Sequence, residues 1–322
     1  MAFRLKLVPD DTKIDFFRWQ WLTFGASIAV MLASFVIIAV MGLNFGIDFR
    51  GGTTIRTEST QPVDVGAYRD ALQQLDIGDV IITEVFDPAF RADQNVASIR
   101  IEAGEGDASA SSETIDRAST ALRTVDPSIT FPSVESVGPK VSGELVWSAI
   151  MALGLAALGI AIYIWFRFEW QFALGTILAS IHDVLVTVGI ISLFQLRFDL
   201  TTVAALLTIL GFSVNDTVVV FDRLRENLRK YKTMPLRDVM NLSVNETLSR
   251  TVMTVMTTLI ALVALLVFGG DVMRGFVLAI IIGVLLGTYS SIYMAKNLVL
   301  WIGVTREPKQ PKAGTKFADI DA

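Results

Sequence analysis

One aspartate inside an apolar run is the residue whose type and position most directly indicate chemistry. The segment GFSVNDTVVVF, residues 211–221, carries Asp216 between Asn215 and Thr217, and the chain becomes basic only after this segment. A carboxylate in an apolar helix is costly to insert into a bilayer, and such groups usually face a bundle interior or a water path. Asp216 lies about 9 Å from the basic end of its run at 1.5 Å per residue, too deep for its short side chain to reach the headgroups. We therefore predict that Asp216 binds a proton or a cation; the alternative is a polar patch that holds helices together.

Three other ionisable residues are candidates to act with Asp216. Arg250 begins a later apolar run and has a long side chain, so we expect an ion pair with Asp216 that protonation releases. The alternative for Arg250 is a flanking charge that sets topology. His182 and Asp183 lie within another apolar run, but adjacent helical residues point about 100° apart and need not act together. A helix-packing hydrogen bond is favoured for His182, and a relay through water is predicted between Asp183 and Asp216.

The composition excludes several other sources of chemistry. Mean hydropathy is +0.56, and 18% of the 322 residues are charged, which is too apolar for an ordinary soluble domain. The absence of cysteine excludes disulfides and thiolate chemistry. The sequence contains no phosphate-binding loop, dinucleotide fingerprint or zinc-protease motif, and a net charge of −5 without a basic stripe argues against nucleic acid. We expect a protein of the lipid bilayer that is not an enzyme, has no bound cofactor and uses an ion gradient.

Six apolar runs are long enough to cross a bilayer, which takes about 20 helical residues. The predicted spans are residues 19–43, 143–166, 171–196, 200–221, 251–270 and 275–298. Lysine and arginine concentrate in residues 1–18, in residues 222–250 and from Lys296 onward, whereas the opposite short loops carry only Arg197 and Arg274. The positive-inside rule therefore predicts that both termini are cytoplasmic. The first run is too long for a signal peptide and is expected to remain as an anchor.

The polar segment 44–142, between the first two spans, is predicted to form an exterior, periplasmic domain. Its pattern follows the order strand, helix, strand, strand, helix, strand over residues 53–59, 63–75, 79–86, 95–102, 112–125 and 128–137. Residues 103–112 are interpreted as a flexible loop. The element order is typical of the ferredoxin-like arrangement. The predicted fold class is thus an integral membrane bundle of six helices with one α+β ferredoxin-like exterior domain.

Two cytoplasmic segments have patterns of their own. In the loop 222–250, a helix start at residues 233–235 and the capping-box spacing of Ser243 and Glu246 predict two short helices on the membrane surface. A solvated basic hairpin is equally compatible with this pattern. The tail 299–322 is expected to be disordered in its final stretch, PKQPKAGTKFADIDA.

The last span carries a stripe of small residues. They recur every four positions, at Ala279, Gly283, Gly287, Ser291 and Ala295. Such a stripe lets helix backbones approach closely, so it predicts packing against a helix of this chain or of another.

Taken together, the motifs resemble the SecF family of membrane proteins. They are FGIDFRGGT (45–53), VGPKVSGEL (137–145), FRFEW (166–170), IHDV (181–184), GFSVNDTVVVFDRLRENLR (211–229) and TLSRT (247–251). The resemblance covers about residues 15–305, and the motifs are specific in this order. SecF is the smaller membrane subunit of the SecDF protein-export complex and is similar to half of an RND-type transporter.

The resemblance implies partners and an energy source. It implies pairing with SecD, work beside the SecYEG channel, YajC as a further partner, and a place in the bacterial inner membrane. It also implies use of the proton-motive force, or of sodium in some members, to promote late steps of preprotein translocation. The family's coupling aspartate falls on Asp216 and its arginine on Arg250. In the first motif, Gly51 and Gly52 are expected to serve the turn from the first span into the first strand rather than to bind phosphate.

Two functions of other classes remain as alternatives. The residues alone favour an RND-like small-molecule exporter, although such exporters carry twelve spans and two large exterior domains in one chain. The second alternative is a non-transporting scaffold in which Asp216 only holds helices together.

Overall fold

The structure, a computed structural model, describes residues 9, 12–75, 77, 80–85, 90, 91, 93–102, 112–269 and 271–304. Within these ranges six helices are long and apolar enough to cross a membrane, which confirms the predicted six-helix membrane bundle. Residues 103–111 of the predicted flexible loop and the predicted disordered tail lie outside the described residues.

The elements follow one another as a first membrane helix, a sheet domain and five further membrane passages. The sheet domain is the segment predicted to be exterior, and we call it the exterior domain. The first part comprises α1 (Gln20–Met41), β1 (Asn44–Phe45), α2 (Ile47–Arg50), β2 (Gly52–Ser59), α3 (Val65–Gln73), β3 (Val80–Val85), β4 (Asn95–Glu102), α4 (Ser112–Val125) and β5 (Thr130–Val137). The second part comprises α5 (Pro139–Arg167), α6 (Trp170–Leu193), β6 (Arg197–Phe198), α7 (Leu200–Lys230), α8 (Leu236–Phe268), α9 (Asp271–Ser290), a π-helical segment (Ser291–Ala295) and α10 (Lys296–Ile302). The last three form one continuous passage.

The predicted separate loop 222–250 is wrong. α7 continues to Lys230 and α8 begins at Leu236, so only five residues form the turn between them. Residues 222–234 contain no glycine or proline and are rich in arginine, leucine and lysine, which favours helix over a surface loop. The predicted helix start is confirmed, because Pro235 is the N-cap of α8. Ser243 and Glu246 do not form a capping box, since both lie inside α8.

The exterior domain has the element order that the sequence predicts. Its sheet order is β3-β4-β2-β5, and all three neighbouring pairs are antiparallel. Alternation along the strands places Ile55 opposite Ile99 in the centre of the sheet. Both side chains are fully buried and pack with Leu72 of α3 and Leu122 of α4. One face of the sheet is thus covered by the two helices, and this burial stabilises the domain.

A buried carboxylate ties the turn after α4 to the rest of the domain. Asp126 accepts hydrogen bonds from the hydroxyl of Ser59, from the backbone N–H of Ser128 at 2.8 Å and from the hydroxyl of Tyr68 at 3.4 Å. Burial alone raises the pKa of Asp126, but the hydrogen bonds outweigh it and hold the pKa below its usual range. Burial and the nearby charge of Asp126 raise the pKa of Tyr68 to about 12.

Acid is expected to weaken this domain through Asp126. Because the pKa of Asp126 is lower in the folded state, its stabilisation is complete above the unfolded value of about 3.9 and is lost as pH falls through the folded value. Asp126→Asn should lower the free energy of unfolding by about 1–3 kcal/mol at pH 7 and flatten the loss below pH ~4. Hydrogen exchange of β2 and β5 in the full chain, corrected for intrinsic rates, measures both effects. The exposed Asp116→Asn on α4 is the matched control, and equal protection in both variants would contradict the assignment.

A short connector joins the exterior domain to the bundle. β1 pairs in parallel with β6, and the N–H of Gly46 donates to the carbonyl of Phe198 at 2.8 Å. The carboxylate of Asp48 accepts a hydrogen bond from the backbone N–H of Leu200, the first residue of α7, at 2.9 Å. A negative charge at a helix N-terminus is stabilised by the free N–H groups and the helix dipole. The connector therefore fixes the exterior domain directly to α7.

The predicted turn from the first span into the first strand is confirmed. After α2, Gly51 has φ 77° and Gly52 has φ 120°, which only glycine adopts without strain. Gly52 is also the first residue of β2, the strand that pairs with both β4 and β5. The chain thus passes from the connector to the centre of the sheet without an intervening flexible loop.

Candidate functional site

The candidate site forms where α6, α7 and α9 pack most closely. A Cβ at Gly287 would lie 3.3 Å from the Cβ of Ser213, and one at Gly283 would overlap the side chain of Ile209. Ile209 and Ser213 both belong to α7. The predicted packing role of the small-residue stripe is confirmed, and its partner is a helix of this same chain. Because these glycines of α9 have no side chain, the backbones of α7 and α9 approach closely. Hydroxyl groups of both helices then come within reach of α6.

Asp183 is the centre of this contact. Its carboxylate is 0% exposed, and Oδ2 accepts hydrogen bonds from the Ser213 hydroxyl at 2.6 Å and from the Ser290 hydroxyl at 2.7 Å. Oδ1 lies 3.0 Å from Nδ1 of His182. The hydrogen bond predicted for His182 is therefore present, but it is made with the next residue and not with another helix. Asp183 joins three helices and has polar partners on both oxygens.

Asp216 lies on the same helix as Ser213 in a different environment. It is 3% exposed, and its Oδ2 has no hydrogen-bond partner. Asp216 follows Ser213 by three positions, so the two residues are roughly 4.5 Å apart along the helix axis. The two carboxylates are thus close to level. A buried carboxylate oxygen without a donor is unfavourable when charged, and this makes Asp216 suited to bind a proton.

The two residues that flank Asp216 in sequence point in different directions. Thr217 is buried, donates to the carbonyl of Ser213 at 3.0 Å and lies 2.7 Å from the hydroxyl of Ser291. Asn215 is exposed on the outer surface of α7. Successive residues of a helix point about 100° apart, so only Thr217 joins the hydroxyl cluster. Among the described residues no hydrogen bond to the Asn215 side chain is present, and its participation stays a prediction.

The structure does not bring Arg250 into contact with Asp216. Although both residues lie in the described part of the chain, no ion pair or hydrogen bond joins them. Thr247 and Thr251 of α8 are buried, which places Arg250 on the exposed face of that helix. There it lines a cavity of about 540 Å³ together with Glu246. The walls of this cavity also include Val218 and Val219 of α7, so Arg250 lies beside the helix that carries Asp216.

The predicted relay between Asp183 and Asp216 stays a prediction. Hydrogen bonds connect Asp183 to Ser213, and from the Ser213 carbonyl to Thr217 and Ser291. This chain of protein groups ends beside Asp216 without a bond to its Oδ2. A proton that passes between the carboxylates therefore needs a further mobile group, for which water is the simplest choice.

Lys296 is a buried cation that the sequence reasoning missed. Its charge places it with the basic residues near the end of the predicted span 275–298, but it is 1% exposed and its Nζ donates to the carbonyl of Phe16 at 3.0 Å. The Nζ also lies 4.0 Å from the ring centroid of Phe17, a cation–π contact. The signal was present, because the apolar stretch NLVLWI follows Lys296 and extends the span beyond it. Lys296 thus holds the segment before α1 against the last membrane passage.

Ser290 was also missed, although it is a direct partner of Asp183. It ends α9, and the π-helical segment that follows shifts the helix register between Ser290 and Lys296. Such single-turn π segments occur frequently at functional sites. No pattern in the sequence marks this segment.

These features define a multi-pass membrane protein with two buried carboxylates in different environments. Residues 117–305 match the family described as "Protein export membrane protein SecD/SecF, C-terminal", and residues 36–63 match the "SecD/SecF GG Motif". The chain belongs to the SecF family of protein translocase subunits, as its motifs indicated. Its resemblance extends over the full length of curated relatives and over part of a solved SecDF chain.

Three relatives give the extent of this similarity. "Protein translocase subunit SecF" of Cereibacter sphaeroides is 71% identical over 324 residues and covers 100% of both chains. The SecF subunit of Rhodobacter capsulatus is 64% identical over 98% of this chain and 97% of its own. The crystal structure of SecDF, "a translocon-associated membrane protein", from Thermus thermophilus is 34% identical, with a TM-score of 0.81, over 92% of this chain. The present chain spans only 39% of that SecDF chain.

Proposed function

We propose that this chain uses the proton-motive force, within a complex with SecD, to promote late steps of Sec-dependent preprotein translocation. The observation that carries the proposal is the buried Asp216, which has an oxygen without a donor on a helix bonded to the exterior domain. In this proposal the protein lies in the bacterial inner membrane with both termini in the cytoplasm. SecYEG, YajC and the preprotein are its further partners.

Asp216 rather than Asp183 is the group proposed to change its charge. Asp183 accepts hydrogen bonds from two hydroxyls on its Oδ2, and these bonds suit it to hold three helices together. Oδ2 of Asp216 lacks such donors, and Arg250 lines a cavity against the same helix, α7. Protonation removes the attraction between Asp216 and Arg250, so the relative position of α7 and α8 can depend on the proton. Carboxylate and hydroxyl oxygens also suit Na⁺, so an experiment has to distinguish H⁺ from Na⁺ as the coupling ion.

The connector offers a route from Asp216 to the exterior domain. Sixteen residues separate Asp216 from Leu200, a rigid helical distance of roughly 24 Å. Leu200 is bonded to Asp48, and Gly51 and Gly52 lead from there into the central strand β2. A shift of α7 along its axis is therefore passed to the sheet. Coupling of this kind requires two positions of the exterior domain that two protonation states favour differently.

The surface of the bundle supports a membrane partner. In the most apolar 18-residue stretch of α6 and of α7, 56% of the residues are buried within the chain. The corresponding share is 11% for α1 and for α8 and 6% for α5. Three helices thus present apolar faces to lipid or to another subunit. The solved SecDF chain is more than twice as long as this one, which supports SecD as the subunit on part of this surface. The curated relatives are named as protein translocase subunits, which gives no support to a small-molecule exporter.

Asp216→Asn is expected to abolish the gradient-dependent part of preprotein release. The amide is close to isosteric with the acid but cannot gain and lose a proton, so assembly should persist while coupling is lost. The measurement is release of a preprotein from right-side-out vesicles that contain SecD, with an imposed proton gradient, a sodium gradient or none. If Asp216→Asn lowers the stimulation of preprotein release by one of the two gradients about tenfold or more, that gradient identifies the coupling ion.

The control for this experiment is Asp238→Asn, the same change at an exposed position of α8, which should keep full stimulation. Co-purification with SecD checks assembly in every variant. If Asp216→Asn assembles and retains the whole gradient dependence, Asp216 is structural and the scaffold alternative gains support.

A further inference from the structure

A charged groove lies at the end of the bundle opposite the sheet domain, where α5 and α7 end. Two adjoining cavities of about 540 Å³ each form this groove, and they share Arg167, Asp222 and Glu226 in their walls. The first cavity is lined in addition by Arg225, Arg229 and Lys230. We call the two cavities together the base groove. None of the proposed steps of ion coupling uses the three cations of its first cavity.

The base groove holds an excess of positive charge. Its carboxylates already have partners, because Asp222 pairs with Arg167 at 3.3 Å and Glu226 pairs with Arg223. Across the residues that the structure describes, no carboxylate forms an ion pair with the three added cations, which are Arg225, Arg229 and Lys230. Four cations and two carboxylates therefore surround one cavity. The two carboxylates do not balance the four cations, so an anion that enters the cavity is attracted to the remaining positive charge.

Aromatic side chains place the groove at the level of lipid headgroups. Trp165, Phe166 and Trp170 are 63%, 88% and 54% exposed and lie on both sides of Arg167 in the chain. Exposed tryptophans at the end of a membrane helix are typical of the interface between hydrocarbon and water. The first cavity is therefore at the membrane surface, within reach of a phospholipid.

The second cavity gives the groove an apolar side. Its walls include Tyr163, Val218 and Val219, which lie about one turn nearer to the bilayer centre than Arg167 and Asp222. The charged Arg223, Glu246 and Arg250 line the same cavity. Cations at the surface and apolar side chains below them match the order of headgroup and acyl chain in a phospholipid. A free phosphate ion or an acidic peptide in water has no acyl chain that could bury this apolar side.

We propose that the base groove binds an anionic phospholipid, with its phosphate among Arg225, Arg229 and Lys230 and an acyl chain along Tyr163 and Val218. Basic pockets between membrane helices bind acidic headgroups in this manner. The proposal is separate from ion coupling, since the contacts assigned to the phosphate and the acyl chain use none of Asp216, Asp183 and Arg250, although Arg250 lines the second cavity. It gives the long α7 a second role as a lipid-binding helix.

The test is lipid retention by the full-length chain, purified alone and with coexpressed SecD. Native mass spectrometry counts bound phosphatidylglycerol and phosphatidylcholine after titration with each lipid. The triple variant Arg225→Gln, Arg229→Gln, Lys230→Gln is expected to bind phosphatidylglycerol on the order of 100-fold more weakly, because each cation near an acidic lipid surface contributes attraction. Lys13→Gln, Arg18→Gln, Arg197→Gln makes the same change of charge at exposed positions elsewhere and should bind as the unmodified chain does.

Further arms separate the lipid from other anions. The double variant Arg225→Lys, Arg229→Lys keeps all three positive charges and should keep binding, so it controls for misfolding of the glutamine variant. Inorganic phosphate at millimolar concentration should not displace the lipid. Equal phosphatidylglycerol binding by both glutamine triples overturns the proposal. Displacement by phosphate overturns it in favour of a small-anion site, and loss of the lipid on addition of SecD overturns it in favour of a protein contact.

Discussion

Replacement of Asp183 by alanine is expected to lower the stability of the bundle by about 3–4 kcal/mol. The substitution removes hydrogen bonds from Ser213 and Ser290, which come from two different helices. Interhelical hydrogen bonds in membranes contribute about 0.6–1.7 kcal/mol each, and a charged acceptor places these two at the upper end. The Ser213 hydroxyl and His182 lose their buried partner, which adds a further penalty. The Ser290 hydroxyl, in contrast, keeps the carbonyl of Gly287 at 3.2 Å. Thermal unfolding in detergent should show a fall in Tm of roughly 10 °C.

A double-mutant cycle tests the physical origin of this loss. Ser213→Ala removes the donor from α7, so its effect and that of Asp183→Ala should not add. Strict additivity of the two changes would contradict the hydrogen bond as the source of the stability. Asp183→Asn keeps one oxygen and is expected to lose less stability than the alanine variant.

Export activity then distinguishes a structural Asp183 from an ion carrier. If Asp183 only holds the helices, the activity of Asp183→Asn should fall in proportion to folded protein while its gradient dependence persists. If gradient dependence is lost at normal stability, the coupling role belongs to Asp183 and the proposed role of Asp216 fails. Measuring Asp183→Asn and Asp216→Asn in the same vesicles therefore assigns the carboxylates separately.

Features with a local cause could be predicted from the sequence. A membrane span depends on the length of an apolar run, and the exterior strands and helices on residue type and periodicity, so both were recognised in order. Asp216 was also predictable, because a carboxylate within an apolar run is a local anomaly. The glycines of the connector belong to this group, since their backbone angles follow from the turn itself.

Features that depend on contact between helices could not be predicted. Ser290 bonds to Asp183 only because α6 and α9 pack in one register. No residue near Ser290 in the sequence indicates this contact. The sequence predicts an ion pair of Arg250 with Asp216, but the orientation of Arg250 depends on which face of α8 the buried Thr247 and Thr251 occupy. Asn215 and Thr217 are equivalent neighbours of Asp216 in sequence, yet the position of α9 makes only one of them part of the cluster.

The register that brings these groups together depends on Gly283, and its replacement by leucine is expected to have the largest structural effect. Even a Cβ at this position overlaps Ile209 of α7, so a leucine must push α7 and α9 apart. Overpacking of this kind costs about 3 kcal/mol or more. Separation of the same helices also breaks the bond from Ser290 to Asp183, so the two losses combine. We therefore expect little assembled protein on size-exclusion chromatography of membranes solubilised from cells that express Gly283→Leu.

Gly275 provides the matched control on the same helix. A Cβ at Gly275 meets no atom within 4 Å, and leucine has a higher helix propensity than glycine, so Gly275→Leu should assemble normally. Gly287→Ala should lie between the two, because its Cβ would approach Ser213 at 3.3 Å. Normal assembly of Gly283→Leu would mean that close backbone contact does not position the carboxylate cluster. A graded loss from Gly275 through Gly287 to Gly283 would instead identify helix spacing as the property that keeps Asp183 bonded and Asp216 buried.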